Sequence, residues 1–187
     1  MRLFIAVNLE EELKKRIVPL EEELKKTGAD VKWVEVKNLH LTLKFLGEVE
    51  EKKVTQIEQI ITSTLVNFPS FEMRLSGFGV FPNLNYPRVV WIGINEGKDQ
   101  LKVLSEKVES SLIPLGFPKE KRPFTAHLTV GRVRSAKNKN QLISIIEEKK
   151  NIEIGKQRVE KIYLMQSFLK PTGPIYVPLK EWELTRG

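Results

Sequence analysis

Apolar and polar positions along the chain alternate in some stretches and form stripes in others. Arg2–Leu9 is an apolar run bounded by charge, the signal of a buried strand. Glu10–Lys26 follows with Leu13, Ile17, Leu20 and Leu24 at helical spacing, and Gly28 marks its stop. Pro19 lies inside that pattern and predicts a kink or a split helix. Val31–Val36 and Leu39–Leu46 read as strands. Glu50–Leu65 reads as a second helix, with Val54, Ile57, Ile61 and Leu65 on one stripe. Phe71–Val80 and Arg88–Asn95 read as strands, joined by the Pro- and Asn-rich loop Phe81–Pro87. Lys98–Ile113 is the next helix, Thr125–Val133 a strand and Lys139–Lys149 a helix. The basic stretch Arg132–Lys139 reads as a solvated loop. Val159–Leu169 and Ile175–Leu184 close the series as strands.

A repeat organises these elements. Shifted by 87 residues, the sequence resembles itself: Phe4-Ile5-Ala6-Val7-Asn8 falls on Trp91-Ile92-Gly93-Ile94-Asn95, and His40-Leu41-Thr42-Leu43 falls on His127-Leu128-Thr129-Val130. Arg74 falls on Lys161 and Phe81 on Phe168. The repeated unit is a strand, a helix and paired strands. The expected fold is α/β (α+β), one bilobal domain over residues 1–187 with two similar, pseudo-symmetric lobes. Accidental alignment of β-rich segments accounts for the apolar matches. It does not account for the only two histidines in the chain landing on one another.

Composition narrows the classes. Apolar residues make up 41% of the 187 and charged residues 29%, which excludes a disordered or collagen-like chain. With no Cys, disulfides, thiol nucleophiles, iron–sulfur clusters and thiolate zinc sites are excluded. No apolar run approaches the roughly 18 to 20 residues of a membrane span. Met1–Glu10 reads as a first strand, not a signal peptide, so a cytoplasmic location is expected. The net charge of +7 permits a polyanionic partner without requiring one.

The candidate chemistry is His-x-Thr, twice. Period-two geometry puts His40 and Thr42 on one face of a strand, with Leu39, Leu41 and Leu43 on the other. The same holds for His127 and Thr129 against Ala126, Leu128 and Val130. Two lobes can bring both pairs to one cleft. Imidazoles on opposite sides of a phosphorus can act as general base and general acid for in-line attack, since both protonation states are reachable near neutral pH. The Thr hydroxyls can donate to non-bridging phosphoryl oxygens. Arg132 and Arg122 are candidate phosphate ligands, because a guanidinium forks onto phosphate. Lys44 alternates with Thr42 and is expected on its face. Trp33, Phe81, Tyr86 and Phe168 read as packing residues, of which one or two could stack on a base.

Other chemistries fit less well. Catalytic zinc takes three protein ligands, and two histidines without Cys or a carboxylate motif do not supply them. The phosphate-binding loop, the dinucleotide fingerprint and the G-x-S-x-G elbow are absent. Gly77-Phe78-Gly79 reads as a bulge or a close backbone approach. No metal and no cofactor are expected.

At these residues the chain resembles the two-histidine (2H) phosphoesterase superfamily, and more closely the prokaryotic RNA 2′,3′-cyclic phosphodiesterases, also called 2′-5′ RNA ligases. The resemblance spans nearly the whole length. It rests on Arg2-Leu3-Phe4-Ile5-Ala6, on His40-Leu41-Thr42-Leu43-Lys44-Phe45-Leu46-Gly47, on Gly77-Phe78-Gly79-Val80-Phe81-Pro82 and on Pro123 through Arg132 (PFTAHLTVGR), without a departure that would suggest a dead enzyme. It implies antiparallel sheets lining a central cleft with helices outside. It implies metal-independent opening of a terminal 2′,3′-cyclic phosphate to a 2′-phosphate, with His127 as base, His40 as acid, and Thr42, Thr129 and Arg132 on the phosphate. Family members can also join tRNA halves through a 2′-5′ linkage. The expected partner is therefore RNA with a cyclic phosphate end, not DNA and not a membrane, met by a monomer. Two alternatives stand beside it: a cyclic phosphodiesterase on a small nucleotide such as ADP-ribose 1″,2″-cyclic phosphate, and a non-enzymatic RNA-binding module.

Overall fold

A computed structural model describes residues 1–186. In chain order its elements are β1 (Arg2–Asn8), α1 (Glu11–Lys25), β2 (Val31–Trp33), β3 (His40–Glu48), α2 (Val54–Thr64), β4 (Phe71–Phe81), β5 (Val89–Ile94), α3 (Lys98–Leu112), β6 (His127–Val133), α4 (Lys139–Glu148), β7 (Glu153–Val159), β8 (Lys161–Lys170) and β9 (Gly173–Glu183).

The strands form two antiparallel sheets, ordered β3-β1-β8-β9 and β2-β6-β5-β4-β7. The lobes are not successive halves of the chain. β8 and β9, from the second half, complete the first sheet, while β2 and β4, from the first half, lie in the second. The helices cross over too. α1 follows a strand of the first sheet yet packs on β7 of the second, and α3 follows β5 yet packs on β3 of the first. One apolar cluster therefore runs through both lobes. It takes Ile5, Leu41 and Leu164 from the first sheet, Leu75, Ile92 and Leu128 from the second, and Ile17, Ile61, Leu104 and Ile146 from the four helices. Truncating a fully buried member such as Ile92 to Ala would cost about 2 to 5 kcal/mol.

Four expectations are corrected. Pro19 does not split its helix: α1 runs unbroken with Pro19 on its exposed side, where water can satisfy the freed carbonyl. The strand expected over Val31–Val36 ends at Trp33. Its pairing with β6 stops after the Val34 amide donates to the Val130 carbonyl (2.9 Å), because the chain must then cross from the second sheet to the first, which it does through a 3-10 turn at Val36–Asn38. β7 was not expected. Gln157 sits at an inward position, hydrogen-bonded to the backbone at Asn8 and Glu10, and a register shift lies beside Gly155, so the apolar alternation is masked. The strand expected over Thr125–Val133 begins at His127.

Candidate active site

β3 and β6 belong to different sheets, yet they run close enough for their Cα atoms to approach within 8 Å. On β3, His40 pairs with Asn8 and Thr42 with Ala6. On β6, His127 pairs with Gly93 and Thr129 with Trp91. Directly paired residues share a face. The partners Asn8 and Gly93 are two positions off the spacing of the histidines, a slip that keeps every side chain on its face because the strand period is two. His40, Thr42, His127 and Thr129 all open onto one cavity of about 570 Å³, and Arg122 and Arg132 line it as well.

The imidazoles are held alike. His40 Nδ1 lies 2.8 Å from the Asn38 carbonyl oxygen, and His127 Nδ1 lies 2.7 Å from that of Thr125. A carbonyl only accepts, so each Nδ1 carries the proton and each Nε2 is the nitrogen left for chemistry. Their surroundings differ. His40 packs against Phe4 (ring centroids 4.8 Å apart) and edge-on to Tyr176 (5.2 Å), and its Nε2 is 3.0 Å from Thr42 Oγ1. Burial lowers the His40 pKa below its ordinary 6.5. The bond to the Asn38 carbonyl opposes that, and the Lys14 charge adds to it. His127 packs edge-on to Phe81 (5.0 Å), and its Nε2 has no hydrogen bond among the described residues.

A bulge decides where the neighbouring side chains go. In β3 the pairing skips from Thr42–Ala6 to Lys44–Ile5, so Leu43 is the extra residue. Lys44 therefore joins the buried face with Ile5, and Phe45 returns to the cleft side with Phe4. Lys44 still lines the cavity, but not from the face of Thr42, where simple alternation places it. Its amine is buried and taken up by Glu109 (3.1 Å), the Pro118 carbonyl (2.7 Å) and Glu120 (3.5 Å), which tie the segment before β6 to β3. In β6 the same skip occurs between Thr129–Trp91 and Gly131–Val90. Strict alternation from His127 would point Arg132 into the core. The bulge at Val130 turns it into the cleft instead, where it is exposed.

Against known proteins, a model of the family "LigT like Phosphoesterase" matches twice, at residues 7–91 and 92–176. The chain belongs to this family. It is 40% identical over 184 residues to the RNA 2′,3′-cyclic phosphodiesterase of Methanothermobacter thermautotrophicus, covering 98% of this chain and 99% of that one. To the protein so described from Archaeoglobus fulgidus it is 43% identical over 184 residues, covering 98% and 100%. Among solved structures, E. coli LigT complexed with 3′-AMP superposes with a TM-score of 0.78 at 28% identity, over 98% of each chain.

This phosphoesterase is thus an enzyme of the hydrolase class, with two sheets in pseudo-symmetric lobes around its cleft. Among the described residues no group of three or more His, Asp or Glu side chains is placed to hold a metal ion. Phe81 packs behind His127 and on Trp91 (5.2 Å), and it is not among the residues that line the cavity. Gly79 makes room for that indole, since a Cβ there would fall 2.3 Å from its ring, and Gly77 sits at a register shift with φ +74°. Both fit the reading of Gly77-Phe78-Gly79. Trp33 is half-buried on the core, whereas Tyr86 and Phe168 are exposed and do not serve as packing residues. Sequence reasoning missed Phe4 and Tyr176, which shape the His40 pocket, and Lys119 and Lys121, which line the cavity. Tyr176 comes from β9, far along the chain from β3, and no motif marks it.

Proposed function

We propose that this phosphoesterase opens the terminal 2′,3′-cyclic phosphate of RNA to a 2′-phosphate by acid–base catalysis between its two histidines. One observation supports the reading: two strands from different sheets bring His-x-Thr to a shared cavity, and each imidazole is pinned through Nδ1, which leaves Nε2 as the nitrogen turned to the chemistry. The cyclic phosphodiesterase activity of the relatives fits it. Water attacks phosphorus and gives a proton to one Nε2. The bond from phosphorus to the 3′ oxygen breaks, and the other Nε2–H supplies the proton that oxygen needs. The product is a 3′-hydroxyl and a 2′-phosphate. Thr42, Thr129 and Arg132 hold the non-bridging oxygens, where charge accumulates.

His127 serves as base and His40 as acid. Burial favours neutral His40 in the free enzyme. The anionic phosphate works the other way, so the imidazolium forms together with substrate binding. A 5′-hydroxyl of a second RNA in place of water would give a 2′-5′ diester by the same bond changes, which is the ligation reading.

The test is single-turnover incubation of a cyclic-phosphate-ended oligonucleotide with the protein in excess EDTA. Conversion to a 2′-phosphate end is expected. An intact end, or one formed only after metal is restored, overturns the reading. Adding a 5′-hydroxyl oligonucleotide at high concentration tests ligation in the same tube.

A further inference from the structure

A second, smaller cavity of about 180 Å³ lies at the end of the second sheet, lined by Tyr86, Arg88, Arg134 and Lys139 among others, none of them acidic. Tyr86 is 60% exposed on the loop between β4 and β5. Arg88 braces its ring, with the guanidinium carbon 4.4 Å from the centroid and a bond of 2.6 Å to the phenol oxygen. An exposed aromatic held by a cation is a stacking platform, and the cations around it are not neutralised. No ion pair among the described residues involves Arg88, Arg134 or Lys139. Lys139 instead donates to the Asn85 carbonyl (3.1 Å), which ties the start of α4 to the loop that carries Tyr86.

This cavity adjoins the active site through the backbone. The Arg88 amide donates to the carbonyl of Phe81, whose ring packs on His127, and the Val133 amide donates to the Arg88 carbonyl (2.7 and 2.8 Å). Arg134 lies two residues beyond Arg132, about 7 Å along the strand direction. Its amide donates to the Asp30 carbonyl, which continues the ladder and keeps it on the side of Arg132. A charged path thus leads from the phosphate site to the Tyr86 platform.

We infer that the Tyr86–Arg88–Arg134 cavity binds the nucleotide upstream of the reacting end, stacking its base on Tyr86 and holding its phosphate with Arg88 and Arg134. The inference rests on the proposed function and deepens it: the substrate is a strand, not a lone cyclic nucleotide. Stacking on an aromatic face and phosphate contacts are how proteins hold single strands without reading sequence.

The experiment measures hydrolysis of a nucleoside 2′,3′-cyclic phosphate and of a tetranucleotide with the same end. Alongside, fluorescence anisotropy follows a 2′-phosphate-ended tetranucleotide, which reports binding whether or not turnover occurs. Y86A is expected to raise KM for the tetranucleotide and its dissociation constant about ten-fold, the scale of removing one aromatic from beneath a base, while Y86F restores both. R88A and R134A are expected to weaken binding and to make its salt dependence shallower by about 0.7 for each phosphate no longer neutralised. Mononucleotide kcat/KM should be unchanged in all of them. Equal effects on both substrates, or wild-type binding of the tetranucleotide by Y86A and R134A, would overturn the inference and leave the proposed function standing. Tight tetranucleotide binding with neither substrate hydrolysed by the wild type would overturn the proposed function, and with it this assignment.

Discussion

The two lobes present the same motif on the same bulged strand, but to different surroundings. In the first lobe His40 is walled by Phe4 and Tyr176 and bonded to Thr42. In the second, Phe81 is the one aromatic ring packed on His127 among the described residues, edge-on, and the His127 Nε2 has no hydrogen bond among them. Just past the bulge, Lys44 and Gly131 occupy the matching position on the buried side, and Phe45 and Arg132 the matching position on the cleft side. The first lobe therefore supplies a shielded imidazole and a buried charge that ties down a loop. The second supplies an accessible imidazole and an exposed guanidinium. A repeat gives two equal groups, and the acid–base pairing proposed above needs unequal ones. The packing around each copy makes the difference.

The comparison breaks most sharply at the imidazoles. H40A and H127A are each expected to lower kcat by about 10² to 10⁴, the scale of lost proton transfer. Single-turnover assays on folded variants check this, and near wild-type turnover by H127A would sink the two-histidine mechanism. A substrate whose leaving group needs no protonation sharpens the division of roles. It should rescue H40A and leave H127A slow, and the opposite pattern reverses the assignment.

Next come the hydroxyls. T42A and T129A should each cost about 10-fold to 10³-fold in kcat, as for one donor missing from developing charge. They should differ in kind, because among the described residues only Thr42 also bonds its histidine. T42A should therefore move the titration of His40, and the same probe should show no change for T129A.

Lys44 tests the claim that the first lobe's cation is structural. K44M leaves Glu109, itself mostly buried, without its partner. Stability in denaturant titrations should fall by about 3 kcal/mol, the low end for breaking a buried pair. R132A should leave stability within about 0.5 kcal/mol, as for an exposed side chain, and weaken substrate binding instead. Equal stability losses would mean that the bulges do not sort these side chains as described.

The smallest effect concerns pH. His40 has an ordinary pKa of 6.5 when unfolded and a lower one when folded. The unfolded chain therefore binds more protons as pH falls. The contribution of His40 to stability is complete above 6.5 and is lost progressively below it. H40Q should flatten that slope. By NMR, the His40 ring should titrate below 6.5 in the free protein, and adding a nucleoside 2′-phosphate should move it upward. A titration that ignores the phosphate would separate His40 from the reaction.

Much of this was legible from local pattern. The hydrophobic pattern located all four helices, and the paired histidines located the shared cavity. Elements were misread where tertiary demands override local preference. β2 is cut short because the chain must change sheets, and β7 hides behind Gln157 and a register shift. Tyr86 and Phe168 read as packing aromatics because nothing in sequence says which faces the lobes leave open.

The sequence by itself determined that two equivalent polar strand faces would carry His and Thr, since side-chain alternation along a strand is a local property. It did not determine which of Lys44 and Arg132 would offer the cleft a free cation. Both line the cavity, but the Lys44 amine is taken up by Glu109, Glu120 and the Pro118 carbonyl, while Arg132 has no ion pair among the described residues. An extra residue, Leu43 in β3 and Val130 in β6, accommodated only against its paired neighbour, reverses the faces just beyond it. The shift in His40 also arises from β1 and β9 closing over it. Register and burial are properties of the assembled sheets, so only the tertiary structure decided them.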